Sequence, residues 1–374
     1  MLTIAMFALV ATRGRGLLED ISQAPRDVVL AYAAWALLCV ASLAWSEHPG
    51  HTAAELRAEM LYGTLAFALF HLAAKDAARW RQWWVALLAG TVTVAAASIL
   101  QQLLPVPLSR HPLDGGPGPW STHLVLVAPL LLAIAWPRPW GQDRGAAVQA
   151  VALLALLLAA WETENRIVWA AFGLQLAIIA TLRRASPALD GVRGRRLRMI
   201  ALVATLTIAV AFVASIVERN HRLFPANAPV TTGLERDSRP ALWAAAWKEF
   251  IAAPWLGHGF GREILQEKFL PLTPPTPGHP PLQHAHNVFI DMALQVGAVG
   301  LAAFVFLLAS MARRYVGFLR RPEVAPLGII GLALIAGFLV KCLTDDFLHR
   351  HNGLVFWAVN GMLLALGQRA KAPA

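Results

Sequence analysis

Ten apolar stretches of 17 to 24 residues recur along this chain, and they restrict its fold more than any other feature. A helix needs about 20 mostly apolar residues to cross the hydrocarbon core of a bilayer. Charged residues make up only 14% of the 374 residues, whereas a soluble domain carries about 25%. The sequence therefore predicts an all-α, polytopic membrane helix bundle of about 10–12 transmembrane helices, and it excludes a soluble enzyme and a disordered chain. The predicted spans are 28–45, 57–74, 83–104, 119–136, 145–162, 164–182, 199–217, 287–310, 325–342 and 351–367.

The basic residues between these spans predict which helix ends face the cytoplasm. One alternating set of connections contains 20 Lys and Arg residues, and the short connections of the other set contain four. Because cytoplasmic loops are enriched in Lys and Arg, the first set is predicted to be cytoplasmic. This asymmetry accounts for the net charge of +10, so membrane lipid rather than nucleic acid is the expected partner. The apolar segment 1–11 is too short to span alone. It is either a short or tilted helix or the tail of a helix that starts upstream, and we favour the second interpretation.

One connection is far longer than the others. Residues 218–286 follow the seventh span on the side opposite the cytoplasm, and loops of this length are usually functional. The chain is therefore expected to divide into an N-terminal transmembrane bundle (1–217), a periplasmic loop (218–286) and C-terminal transmembrane helices (287–374). Residues 238–250 of the loop predict an amphipathic helix, followed by a glycine turn at 257–261. Its predicted apolar face consists of Leu242, Trp243, Ala246, Trp247 and Phe250.

Two arginines stand at helix mouths on this outer side. Arg166 lies in a very short connection beside Glu162 and Glu164, which predicts a tight helical hairpin. Either the arginine only pairs with these carboxylates or it binds a substrate. Arg239 opens the loop helix and follows Arg236 in a charged run. This run is either a solvated cluster or an anion site, because a guanidinium binds phosphate oxygens through two hydrogen bonds.

Two histidines precede the eighth span in the segment 283–287. His284 and His286, with Asn287 and Asp291 beyond them, are a candidate acid–base site, since imidazole titrates near pH 6.5. They could also ligate a metal, but no acidic or Cys ligand stands at a standard spacing, so no metal is expected. A further polar group that could face the same cavity is Asp345, Asp346, His349, Arg350 and His351.

Four sequence pieces in order resemble the O-antigen ligase and polymerase family of bacterial envelope glycan assembly. They occupy about residues 160–310. The pieces are Asn165-Arg166 at a helix mouth, Ser238-Arg239-Pro240-Ala241-Leu242-Trp243 in the loop helix, Pro254-Trp255-Leu256-Gly257-His258-Gly259-Phe260-Gly261 as a "P-x-L-G-x-G-x-G" turn, and His286-Asn287 with Gly297 and Gly300 as an "H-N…G-x-x-G" entry.

The resemblance implies a glycosyltransferase at the periplasmic face of the inner membrane. Its donor would be an undecaprenyl-diphosphate-linked O-antigen and its acceptor the lipid A–core oligosaccharide, with inversion and without metal or cofactor. The implied catalytic residues are His286, Arg239 and Arg166. The implied substrate-binding residues are His284, Asn287, Trp243, Arg236, Asp291 and Arg350.

Other functions are also compatible with these sequence features. An O-antigen polymerase or a protein O-oligosaccharyltransferase of the same family would share these motifs. A lipid-linked glycan transporter or flippase would also have many spans. It would tend to show two related halves and charges at mid-bilayer depth, neither of which the sequence shows.

Overall fold

A computed structural model describes residues 24–74, 77–103, 117–132, 142–184, 205–218, 239–272, 282–344, 346 and 348–369. This part of the chain is helical and contains no strand, so the all-α prediction is confirmed. The predicted segment 1–11, the helix cap Ser238, and the site residues Arg236 and Asp345 lie outside the described residues.

Each of the ten predicted spans contains helix in the part of it that the structure describes. The helices are α1 (Arg26–Ala41), α2 (Pro49–Glu55), α3 (Tyr62–Ala73), α4 (Ala77–Leu103), α5 (Pro117–Leu132), α6 (Gln142–Glu162), α7 (Ile167–Arg184), α8 (Thr205–Glu218), α9 (Arg239–Ala252), α10 (Gln266–Phe269), α11 (Val288–Leu319), α12 (Ala325–Cys342) and α13 (Arg350–Arg369). A π-helical turn, Leu56–Leu61, joins α2 to α3. The predicted loop helix is α9, which begins one residue after the predicted cap and runs two residues further.

Within the part of the chain that the structure describes, three segments are long and apolar enough to cross a membrane. They are Arg26–Ala44, Val288–Leu319 and Ala325–Cys342. Shorter apolar helices among the described residues are Val85–Ala97, Leu153–Glu162, Ile167–Arg183 and Thr205–Glu218. The chain is therefore an all-α, polytopic membrane protein, whereas the count of ten spans stays a prediction.

The chain forms two compact units, each assembled from separate stretches of sequence. The first unit comprises Met1–Leu72, Leu234–Arg313 and Cys342–Met362, and the second comprises the remainder. The division into two membrane bundles and an outer loop concerns sides of the membrane, and it stays a prediction.

The second unit has an apolar core built mainly by α5, α6 and α7. Trp120, Leu124, Leu156 and Phe172 are almost fully buried there. Lys341 of α12 is also buried in this unit. Its Nζ donates a 2.8 Å hydrogen bond to Ser121 Oγ. A charge at such depth is costly unless it has polar partners, which the hydroxyl supplies here.

The first unit packs α9 into a small core of its own. Leu242 and Ala246 of α9 lie against Ile264, Phe269 and Leu294, with Trp243 and Phe250 partly buried beside them. Trp247 is 60% exposed, and its ring packs against that of Phe250 with the centroids 5.4 Å apart. Ile251 of α9 is exposed as well, and so are Trp255 and Leu256 just after the helix.

The helix α11 is broken near its start, at Val296 and Gly297. Gly297 has φ +67° and ψ −172°, a region of backbone conformation that is essentially restricted to glycine. In an unbroken helix, the carbonyls of Leu294 and Gln295 would accept from the amides four residues later, those of Ala298 and Val299. The break leaves these two carbonyls and two amides without their helical partners.

The glycine turn after α9 supplies the missing partners. The amides of His258 and Gly259 donate to the carbonyls of Leu294 and Gln295, both at 2.9 Å. In return, the amides of Ala298 and Val299 donate to the carbonyls of Pro254 and Trp255, at 2.8 and 3.3 Å. The turn and the broken helix thus form four backbone hydrogen bonds with each other, and these replace the helical bonds that the break removes.

Replacing Gly297 with alanine should destabilise the protein by at least about 2 kcal/mol. Its backbone conformation costs a side-chain-bearing residue about 1–3 kcal/mol, and a Cβ there would overlap the carbonyl group of Trp255. The measurement is thermal unfolding of the purified protein in detergent.

Gly317→Ala is the matched control in the same helix, because a Cβ at Gly317 meets nothing within 4 Å. It should leave stability unchanged or raise it by about 0.5–1 kcal/mol. Equal unfolding midpoints for the two variants would contradict the exchange as a source of stability.

Candidate functional site

The two predicted histidines are held by a buried carboxylate. His284 Nδ1 lies 3.1 Å from Asp291 Oδ2, and the Ala285 amide donates to Asp291 Oδ1 at 2.8 Å. His284 is 4% exposed and Asp291 2%. The His286 amide also donates to His284 Nδ1 at 3.2 Å, so this ring nitrogen has two polar neighbours that orient the imidazole.

His286 stacks directly on His284. Their ring centroids are 4.0 Å apart with 30° between the planes. The His286 backbone has a positive φ of +50°, a conformation that only a few per cent of non-glycine residues adopt. His286 is half-buried, so it is the more accessible ring of the pair.

Asn287 fixes the helix start that follows. Its Oδ1 accepts from the amides of Phe289 and Ile290, at 3.0 and 3.3 Å, so it caps α11. Its Nδ2 donates to the carbonyl of Leu343 at 3.2 Å. Asn287 was predicted to bind substrate, but its amide group is engaged in orienting the segment that carries the histidines.

Trp243 connects the loop helix to the histidine pair. Its Nε1 donates a 2.8 Å hydrogen bond to the carbonyl of Ala285, the residue between the two histidines. Arg239 is the first residue of α9, one helical turn before Trp243. The structure therefore brings the helix that carries Arg239 to the segment that carries His284 and His286.

Arg166 lies in the second compact unit, where the predicted hairpin between α6 and α7 is observed. The turn is closed by Thr163, whose Oγ1 donates to the carbonyl of Ala160 at 2.7 Å, and by Glu164, which has φ +52°. Arg166 is half-buried immediately before α7. Its approach to Arg239 and His286 stays a prediction.

A second polar cluster lies elsewhere in the first unit, and the sequence argument missed most of it. The Arg350 amide donates to both carboxylate oxygens of Glu59, at 2.9 and 3.0 Å, and Arg350 has φ +47°. His349 Nε2 lies 3.7 Å from Glu55 Oε2 and 3.6 Å from Glu59 Oε1. Burial raises the pKa of Glu55 above its ordinary value, and nearby His51 acts in the opposite direction. The usable signal in the sequence was two carboxylates four residues apart at the start of an apolar stretch.

The Arg350 side chain is exposed, and its predicted contact with substrate stays a prediction. In the structure its backbone amide joins α13 to the π-helical turn before α3.

The glycine turn also carries a histidine with both ring nitrogens engaged. His258 Nδ1 pairs with Glu47, and Nε2 lies 3.0 Å from the carbonyl of Glu249 in α9. The amide of Phe260 donates to Ser42 Oγ at 2.9 Å. These contacts join the glycine turn to the segment that follows α1 and to α9. His258 therefore has a structural role.

Comparison with known proteins agrees with the ordered motifs. The model of the O-antigen ligase family matches residues 130–305, a range that contains Arg166, Arg239 and His286. An O-antigen ligase of Pseudomonas aeruginosa PAO1 is 24% identical over 365 residues, covering 94% of this chain and 80% of the relative. The motifs and both comparisons show that this integral membrane protein is similar to the O-antigen ligase family, most clearly over residues 130–305.

Proposed function

We propose that the protein transfers O-antigen polysaccharide from undecaprenyl diphosphate to the lipid A–core oligosaccharide, at the periplasmic face of the inner membrane. The observation that carries this proposal is the stacked pair His284 and His286, backed by buried Asp291 and tied through Trp243 to the helix of Arg239. This arrangement connects imidazole groups, which can accept a proton, to the helix that carries the Arg239 guanidinium. Transfer from a diphosphate uses both kinds of group. The P. aeruginosa relative bears the name of this activity.

The proposed reaction is a single displacement. The oxygen of an acceptor hydroxyl attacks the anomeric carbon, and the bond from that carbon to the diphosphate oxygen breaks. The electron pair of that bond leaves with undecaprenyl diphosphate, and the hydroxyl proton passes to histidine. Attack from the opposite face inverts the anomeric centre.

The arginines would stabilise the leaving group. Negative charge grows on the bridging oxygen as the bond breaks, and guanidinium groups fixed near it lower the barrier. We assign this task to Arg239 and Arg166. No nucleotide is needed, because the lipid diphosphate is already activated, and the arginines carry the charge that a metal would otherwise neutralise.

His286 is the proposed general base, and His284 with Asp291 is its support. The acceptor must reach the base, and His286 is the more exposed ring of the two. The Asp291 carboxylate fixes the orientation of His284, and the stacked His284 ring in turn limits the orientations open to His286. His284 is the alternative base, because its imidazole stacks on that of His286 in the same pair.

Deletion of the gene tests the activity itself. We expect loss of all long-chain lipopolysaccharide together with accumulation of lipid-linked polymer. Retention of chains with a single repeat would instead indicate a polymerase, and unchanged lipopolysaccharide with an unglycosylated protein would indicate a protein O-oligosaccharyltransferase. Accumulation of lipid-linked glycan on the cytoplasmic side would indicate a flippase.

Lysine substitutions test the arginine chemistry. Arg166→Lys and Arg239→Lys keep the charge but lose the two-pronged hydrogen bonding, so each should lower transfer at least about tenfold with normal expression. The assay uses purified protein with lipid-linked donor and lipid A–core acceptor. Arg320→Lys is the matched control, because Arg320 is an exposed arginine between α11 and α12. Full activity of both test variants would remove the arginines from the reaction.

Alanine substitutions separate the two histidines. His286→Ala should lower transfer by about 10²–10⁴-fold, as expected for loss of a general base, while donor binding persists. Asp291→Asn should give a smaller loss and alter the pH dependence of the rate, because it weakens the support of His284. His48→Ala, at an exposed histidine before α2, is the control. Near-normal transfer by His286→Ala, with loss in His284→Ala, would make His284 the base.

A further inference from the structure

Three side chains outside the proposed transferase site converge in the first compact unit. Glu55 ends α2, Glu59 lies four residues later in the π-helical turn, and His349 precedes α13. Their side chains are 18%, 11% and 16% exposed, respectively. The carboxylate oxygens and the imidazole nitrogen that face one another all lie within 4.8 Å.

The separations suit ligands of a shared ion better than direct hydrogen bonds. His349 Nε2 lies 3.7 Å from Glu55 Oε2 and 3.6 Å from Glu59 Oε1. A side-chain contact of this length is too long for a hydrogen bond. Two N or O ligands bound to one Zn²⁺ at about 2.0–2.2 Å, with angles between tetrahedral and trigonal, lie about 3.3–3.8 Å apart. The observed distances are at the upper end of that range.

The surrounding charges leave room for a divalent cation. Among the described residues, the charged groups that act on Glu55 and Glu59 include two further carboxylates, Glu263 and Asp346. They also include two guanidinium groups, Arg262 and Arg350, while His51 faces Glu55. A carboxylate must be ionised to bind a metal. With all four carboxylates ionised and the histidines neutral, the two guanidinium groups leave two negative charges, which one divalent ion would neutralise.

A backbone contact holds one of the three side chains, that of Glu59, in place. Both oxygens of Glu59 accept from the amide of Arg350, so the carboxylate is oriented before any ion binds. That amide belongs to the residue after His349, and its positive φ of +47° sets the turn that directs the chain into α13. Fixed ligands of this kind raise metal affinity, because less conformational freedom is lost on binding.

We propose that Glu55, Glu59 and His349 bind one divalent transition-metal ion, which joins the α2–α3 segment to the start of α13. Two carboxylates and one imidazole form a donor set that suits Zn²⁺ or Mn²⁺ better than Ca²⁺, which takes six to eight oxygen ligands. The ion has a structural task here, and no step of glycosyl transfer passes through it.

The test is metal binding by the full-length protein in detergent, with Zn²⁺ as the probe. The protein is stripped with chelator, equilibrated with Zn²⁺ by dialysis, and analysed for metal per chain and for the dissociation constant. We expect one ion bound per chain at this site, and an unfolding temperature that rises with Zn²⁺ concentration. Glu55→Gln, Glu59→Gln and His349→Ala should each weaken binding at least about tenfold and abolish the thermal shift.

Controls keep this test separate from folding and from activity. Glu267→Gln, at an exposed carboxylate of α10, and His48→Ala should bind Zn²⁺ as the unchanged protein does. Gel filtration confirms that each variant is folded, and the near-isosteric Gln variants cover the case in which His349→Ala fails to fold. No bound ion, or equal binding by all variants, would overturn the proposal and leave His349 as an ion-pair partner of the two carboxylates. Either result is independent of transferase activity, which the gene deletion measures.

Discussion

The exchange of backbone hydrogen bonds between the glycine turn and the broken helix α11 is the constraint on which the first unit depends. A broken helix at membrane depth is tolerated only where its freed amides and carbonyls find other partners. Leu294 and Gln295 receive theirs from His258 and Gly259, and the return bonds complete the pattern. Close backbone approach then forbids side chains at two positions, because a Cβ on Gly257 would lie 2.6 Å from the Gln295 carbonyl. The "P-x-L-G-x-G-x-G" and "G-x-x-G" motifs are thus the two halves of one backbone interaction.

This exchange also determines where the candidate chemistry can lie. At the C-terminal end of α9, the turn forms backbone hydrogen bonds with the break in α11. Near the other end of α9, the Trp243 indole donates a hydrogen bond to the Ala285 carbonyl. With both ends fixed, α9 has little freedom to slide along the segment that carries the histidines. Arg239 sits one turn beyond the Trp243 contact, so its backbone position follows from the two attachments. The sequence separation between Arg239 and His286 is bridged by backbone geometry and one indole hydrogen bond.

Hydrophobic pattern and spacing were enough to predict the helices, because each predicted span is a long apolar run bounded by polar residues. The hairpin at Arg166 was also predictable, since so few residues separate the two runs. The break at Gly297 was not, because its cause is the docking of a turn about 40 residues earlier. The exposure of Trp247 was not predictable either, because helical spacing groups apolar residues, but only packing shows which of them contact protein. Glu55 and Glu59 were missed because their partner His349 is nearly 300 residues away.

The two polar clusters of the first unit meet at one connection, residues 343–349. Asn287, next to His286, donates to the carbonyl of Leu343 at the start of this connection. Asp346 accepts from the amide of Leu348 at 3.0 Å within it, and His349 faces Glu55 and Glu59 at its end. An ion bound at the far end would therefore restrain the carbonyl that Asn287 holds, without touching the reacting groups. Loss of transfer after removal of metal would then reflect a displaced helix start rather than lost metal chemistry. A displaced helix start and a lost Lewis acid would have different effects on the pH dependence of the transfer rate. Displacement of the general base changes that pH dependence, whereas loss of a Lewis acid changes it only where a metal-bound group titrates.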